Sequence, residues 1–190
     1  MRYLIVDLEA TCWQKGSVPS RMETIEIGAV LLATEQGPIE DEFDAFVRPV
    51  AEPILSEFCT TLTSIRQEDV DVAETFPNVL QKLLDWVGQA APFTWCSWGA
   101  YDLKQLRSDC RRHRIALPAP FEQHVNLKRE FARLVGEEPP TMKHALRMMS
   151  IPLEGRHHRG IDDARNIAKL ACWILPRLAD SGARQGDLRI

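Results

Sequence analysis

Short β-prone runs dominate the first part of the chain, and a helical period takes over after Thr75. Arg2 to Glu9 is apolar and rich in β-branched residues and predicts a strand. Thr24 to Ala33 predicts a second strand and Asp44 to Arg48 a shorter third, and the turn-prone Glu35-Gln36-Gly37-Pro38 lets two of them pair as a meander. Val79, Leu80, Leu83, Leu84 and Val87 recur at helical spacing, so Phe76 to Gln89 predicts a helix. A short apolar strand follows at Phe93 to Trp98, a helix at Tyr101 to Arg114 and a further strand at Gln123 to Leu127. Helices are predicted at Lys128 to Val135, Thr141 to Met149 and Asp162 to Leu178. The small and charged residues from Asp180 to Ile190 predict a frayed tail. Strands first, then strands alternating with helices, predict one α/β layered domain with a mixed sheet over residues 1–179, followed by a flexible tail over 180–190.

Composition narrows this picture. A chain of 190 residues fits one core, and 45 % hydrophobic with 26 % charged residues is ordinary for a globular protein. No apolar run approaches the ~18 residues needed to cross a bilayer, and Leu4-Ile5-Val6 is broken at once by Asp7 and Glu9, unlike a signal-peptide core. The five cysteines are odd in number and scattered, with no Cys-x-x-Cys pair, which argues against a disulfide framework and a zinc ribbon. A cytoplasmic location is the expectation. The formal net charge of −4 speaks against a protein that coats long nucleic acid, but not against one that grips a few nucleotides through bound cations. No Gly-x-Gly-x-x-Gly or Gly-Lys-Ser/Thr is present, so a dinucleotide or P-loop site is unsupported.

The acidic residues carry the candidate chemistry. Period-two geometry puts Asp7 and Glu9 on one face of the first strand, opposite Leu4, Val6 and Leu8. Adjacent carboxylates repel each other and lose hydration unless a hard cation sits between them. Asp102 lies where a strand turns into a helix, the edge at which α/β sheets bind ligands. Taken singly, both are better explained without a ligand, Glu9 as a solvated strand end and Asp102 as a helix N-terminal carboxylate. Asp163 shares the apolar stripe of the last helix with Ile167, Leu170 and Ile174, whereas Asp162 aligns with Asn166, Lys169 and Trp173. His157 precedes Asp162 by the same spacing as His158 precedes Asp163, so spacing alone permits either pair.

In this order, Asp7-Leu-Glu9-Ala-Thr-Cys, Asp102 after Trp-Gly-Ala-Tyr, and His158-x-x-x-x-Asp163 resemble the DEDDh exonuclease family. Glu23-Thr-Ile-Glu-Ile-Gly28, Phe58-Cys-Thr-Thr-Leu-Thr-Ser-Ile65, Val125-Asn-Leu-Lys128 and His158-x-Gly-x-Asp-Asp extend the likeness to the subfamily that trims histone messenger RNA and small interfering RNA. The resemblance covers roughly Arg2 to Leu175 and implies a ribonuclease H-like fold, a central mixed five-stranded sheet flanked by helices. It implies 3′-to-5′ hydrolysis of single-stranded RNA or DNA to nucleoside 5′-monophosphates, with nucleic-acid 3′ ends as partner and no membrane. Asp7, Glu9, Asp102 and Asp163 become ligands of two Mg²⁺ ions, with Mn²⁺ as substitute, and His158 the general base. Backbone at Ala10 and Thr11 is expected at the substrate's 3′ terminus, with Ile25 and Leu62 against the base. Trp98 or Trp95 is a stacking candidate set against core packing, and a plain core role is equally open for Ile25. One departure stands out, since the family's Leu-Thr-Gly-Ile reads Leu62-Thr63-Ser64-Ile65 here. Lys104, Arg107, Arg111 and Arg114 form a helical stripe that is either a solvated face or a phosphate track. The competing class is a binding protein that retains the fold without catalysis; the complete carboxylate and histidine set favours the enzyme.

Overall fold

The computed structural model describes residues 1–18, 20–88 and 92–186, with side chains up to residue 179. Strands β1 (Arg2–Ala10), β2 (Thr24–Leu32), β3 (Ile39–Phe46), β4 (Phe93–Ser97) and β5 (His124–Asn126) form one sheet of order β3-β2-β1-β4-β5. The meander β1-β2-β3 is antiparallel, and β4 and β5 add in parallel beside β1. The mixed, helix-flanked sheet expected from the resemblance is therefore present. Every residue of β2 is buried, which explains why its sequence reads as a nearly continuous apolar run and not an alternation.

Helices α3 (Phe76–Gly88) and α4 (Tyr101–Arg112) cover one face of the sheet, and α5 (Leu127–Val135), α6 (Met142–Met148) and α7 (Gly160–Gly186) the other. The alternation of β1 decides which face holds the chemistry. Leu4, Val6 and Leu8 pack with Leu80, Leu83 and Leu106, while Ile5 packs with Leu127, Ala164 and Ile167. Asp7 and Glu9 follow Ile5 in that alternation and so face the α7 side. A third, smaller cluster around Ile25, Leu55, Cys59 and Ile65 sits at the end of β1 under α1 (Glu57–Thr63) and α2 (Gln67–Asp71).

Four elements differ from the sequence reading by more than one or two residues. The third strand begins at Ile39 and ends at Phe46, in place of Asp44 to Arg48. It is an edge strand with exposed Glu40, Asp41 and Glu42, so charge hides its period. Arg48 instead bridges to Thr75 outside the sheet. Helices α1 and α2 were not expected, because one or two turns are too short to display a helical repeat. Helix α7 continues past Leu178 through Gly186, into the segment expected to fray. The apolar stripe stops there, but Ala179, Ala183, Arg184 and Gln185 are good helix formers. Residues 187–190 of the expected tail, and Gln89 at the expected end of α3, lie outside the described residues.

Candidate active site

Non-local packing of β2 against the start of α7 brings the acidic residues together. Gly28 stands opposite Asp7 in the β1–β2 register. A Cβ at Gly28 would overlap the backbone of Gly160 and Ile161, so only glycine lets the first turn of α7 lie on the strand. Glu26, fully buried, accepts the Gly160 N–H at 3.0 Å and pairs with Arg159 at 3.2 Å. Glu23, further along the same motif, accepts the N–H groups of Val50, Ala51 and Glu52 at 2.8–2.9 Å and ties down that loop. Thus the segment Glu23 to Gly28 is a docking device.

Docked in this way, α7 delivers Asp163 beside Asp7 and Glu9, with one carboxylate oxygen from each lying within 4.8 Å of the others. Asp102 enters from the N-terminus of α4 at the C-terminal end of β4; it is buried, and its Oδ1 accepts the Leu8 N–H at 3.0 Å. Burial, followed by the charges of Asp102, Glu9 and Asp163, raises the Asp7 carboxyl well above the usual range. Burial and then Asp163 do the same to Glu9. Asp102 is raised to about 6 by burial, against the opposing hydrogen bonds from Leu8 and Ser97. Buried carboxylates that raise one another's pKa are costly in a bare protein, and the all-oxygen set suits a hard divalent cation. The donor set fits the divalent cations that the resemblance implies.

Asp162 has a different job. It accepts the Arg156 N–H at 2.8 Å and pairs with Arg165 at 3.0 Å, holding the turn before α7. The carboxylate turned toward Asp7 and Glu9 is Asp163, in agreement with its position on the apolar stripe. Both histidines reach the cleft. The His158 N–H donates to Asp163 Oδ2 at 2.9 Å and its Nδ1 lies 3.9 Å from Glu9 Oε1. Burial, then His157, lowers the His158 pKa. His157, for which spacing alone allowed Asp162 as partner, has its Nδ1 2.8 Å from Asp163 Oδ2.

The cleft has a volume of about 410 Å³. Of the residues expected around substrate, Ala10, Leu62 and Trp98 line it, and Thr11 and Ile25 do not. Thr11 is turned away from the cleft: its N–H donates to Glu23 O at 2.8 Å and its hydroxyl accepts the Glu23 N–H at 2.9 Å. Ile25 is wholly enclosed in the cluster beneath α1. Trp95 is core, edge-on to Phe121 at 5.0 Å, whereas Trp98 donates Nε1–H to Pro140 O and keeps a face to the cleft. Sequence reasoning missed the lining residues Tyr101, Lys128 and Met142. The first two had a signal, one beside Asp102 and the other closing a motif; Met142 had none. The stripe residues Lys104, Arg107, Arg111 and Arg114 are all exposed, outside the cleft.

A mixed sheet of order β3-β2-β1-β4-β5, with acidic residues gathered from β1, α4 and α7, is the ribonuclease H-like arrangement of a DEDDh nuclease. The chain belongs to the RNase T exonuclease family, whose profile matches residues 4–171. It is 35 % identical over 195 residues to mouse (Mus musculus) ERI1 exoribonuclease 2, covering 92 % of this chain and 28 % of that protein. It is 35 % identical over 180 residues to human (Homo sapiens) 3′-5′ exoribonuclease 1, covering 90 % of this chain and 51 % of that one. The chain therefore spans between about a quarter and a half of the length of these relatives. The solved nuclease domain of 3′hExo, a DEDDh family member bound to rAMP, superposes with a TM-score of 0.87 at 32 % identity, over 93 % of this chain and 92 % of that one. No helix among the described residues is long and apolar enough to cross a membrane.

Proposed function

We propose that the protein, through an exonuclease domain over residues 1–179, removes nucleotides one at a time from the 3′ end of single-stranded nucleic acid and releases nucleoside 5′-monophosphates. The observation that carries this reading is the trio Asp7, Glu9 and Asp163, with oxygens within 4.8 Å, at the floor of a cleft edged by Asp102 and His158. RNA is the first substrate to test, since the relatives are named as exoribonucleases. The five cysteines are free thiols, which suits the reducing cytosol expected for it.

Asp7, Glu9 and Asp163, with Asp102 adjoining, would hold two Mg²⁺ or Mn²⁺ ions. When bound, such ions stabilise the charge that develops on the attacking and leaving oxygens. The remaining work falls to the chain. His158, half-buried and with a lowered pKa, is neutral at pH 7 and accepts the proton of the attacking water at an imidazole nitrogen. Trp98 and Leu62 offer the terminal base an aromatic face and an apolar edge. Ala10, with no side chain beyond Cβ, leaves the sugar room against the strand end.

The test uses 5′-labelled linear strands of RNA and DNA, and circular strands of the same sequences, with Mg²⁺. The expected result is a ladder that shortens from the 3′ end, stops on chelation and is blocked by a 3′-phosphate. Cutting of the circles would overturn the exonuclease reading.

A further inference from the structure

His157 has no part in that mechanism, yet it sits in the cleft and touches Asp163. We propose that His157, His158 and Asp163 form a second, nitrogen-containing metal site that takes a transition ion such as Zn²⁺, and that its occupancy switches the nuclease off. The inhibitory half of this inference rests on the exonuclease reading; the binding half does not.

Backbone geometry builds the site. Side chains of consecutive residues in extended chain point to opposite sides. His158 has φ 68°, in the left-handed region, and its imidazole stacks on that of His157 with centroids 3.9 Å apart and planes 29° apart. Donor atoms of both rings and of Asp163 lie within 4.8 Å of one another. Ligands bonded to one zinc ion at ~2.0–2.1 Å stand roughly 3–4 Å from each other. The observed 2.8 Å from His157 Nδ1 to Asp163 Oδ2 is close to that spacing. Both imidazoles are partly exposed, 28 % and 39 %, so the small rotations needed are open to them.

Donor chemistry separates this site from its neighbour. Asp7, Glu9 and Asp163 present only oxygen, which suits Mg²⁺ and Mn²⁺. Two imidazoles shift the preference toward zinc, which outranks manganese on nitrogen ligands. Asp163 belongs to both sets, and His158 is the proposed base. A zinc ion here takes a carboxylate from the catalytic pair of ions and ties up the imidazole of the proposed base.

Zinc titration of the whole protein by calorimetry, without nucleic acid, tests binding apart from activity. The expected result is a zinc site whose filling shifts the imidazole NMR signals of both His157 and His158. His157→Ala should weaken zinc at least about tenfold and Mn²⁺ by much less, while His144→Ala, at an exposed position on α6, leaves zinc affinity unchanged. With RNA and fixed Mg²⁺, the half-inhibiting zinc concentration should rise in His157→Ala by the same factor as its dissociation constant. Equal zinc affinity in wild type and His157→Ala, or zinc binding to wild type that leaves both ring signals unmoved, would overturn the proposal; the ring signals need no variant to fold. Absence of nuclease activity with zinc binding intact would count against the exonuclease reading alone.

Discussion

Replacing Gly28 by Ala tests how the site is assembled. The added methyl would overlap the carbonyl carbon and oxygen of Gly160 and the nitrogen of Ile161, all backbone atoms that cannot rotate aside. Restoring a contact distance of roughly 3.5 Å requires the first turn of α7 to lift from β2 by about 1 Å or more. Overpacking of this kind costs up to about 3 kcal/mol. Weakening the Glu26 hydrogen bond to the Gly160 N–H, at 3.0 Å, adds about 1 kcal/mol. Asp163 moves with the helix, and a displacement near 1 Å lowers turnover by about 10²-fold. Urea unfolding measures the first effect, and single-turnover cleavage below the melting temperature the second. Gly88→Ala is the control: nothing lies within 4 Å of its added methyl, and it should be neutral or stabilise α3 by up to about 1 kcal/mol. Wild-type stability and wild-type turnover in Gly28→Ala would refute the docking argument.

Three further outcomes follow from other parts of the fold. Ser64 caps α1 with φ 62°, a conformation that costs a side-chain-bearing residue about 1 kcal/mol, so Ser64→Gly should raise urea stability by about 0.5–1 kcal/mol; a loss would show that the hydroxyl matters more than the backbone. His124 is held at about 4, below its ordinary 6.5, chiefly by burial and then by Arg107 and Arg129, with Ser97 Oγ 2.8 Å from its Nε2. The folded ring resists a proton that the unfolded one accepts, so its contribution is intact above about pH 6.5 and lost as pH falls toward 4. Allowing for the ring's exposure, the loss is about 2 kcal/mol, and it should appear as the difference in urea stability between wild type and His124→Gln at pH 7 and at pH 4.5; parallel curves would contradict it. Arg107→Ala with Arg111→Ala should weaken binding of longer single strands and reduce the salt slope by about 0.7 for each lost phosphate contact, and an unchanged slope would return the stripe to a solvated face.

Legibility in the sequence followed the range of the interactions. Asp7 and Glu9 could be assigned to one face because a strand's period is local, and Asp163 was told from Asp162 because an apolar stripe is local too. For Ile25 and Thr11, which do not line the cleft, the deciding contacts are not local. Their distance from the cleft is set by Glu23, which pairs with Thr11 across a loop, and by α1, a helix too short to show itself. The exposed acids of β3 hid the first part of this strand, since their period has no apolar partner to mark it. Spacing alone permitted either histidine–aspartate pair and could not show that His157 also reaches Asp163. The left-handed turn at His158 folds both imidazoles to the same side. The roles of Glu26 and Gly28 depend on contact with residues more than 130 positions away, which no local pattern reveals.

We propose that Asp163, the buried carboxylate of the adjacent pair, completes the metal centre, while Asp162 holds the turn through Arg156 and Arg165. Measuring Mn²⁺ binding by calorimetry and single-turnover RNA cleavage in Asp163→Asn and Asp162→Asn tests it most directly. Asp163→Asn should lose Mn²⁺ affinity and slow cleavage by at least about 10²-fold, whereas Asp162→Asn should lose stability and retain both. The reverse pattern, with Asp162→Asn inactive and Asp163→Asn binding metal and cleaving normally, would contradict it.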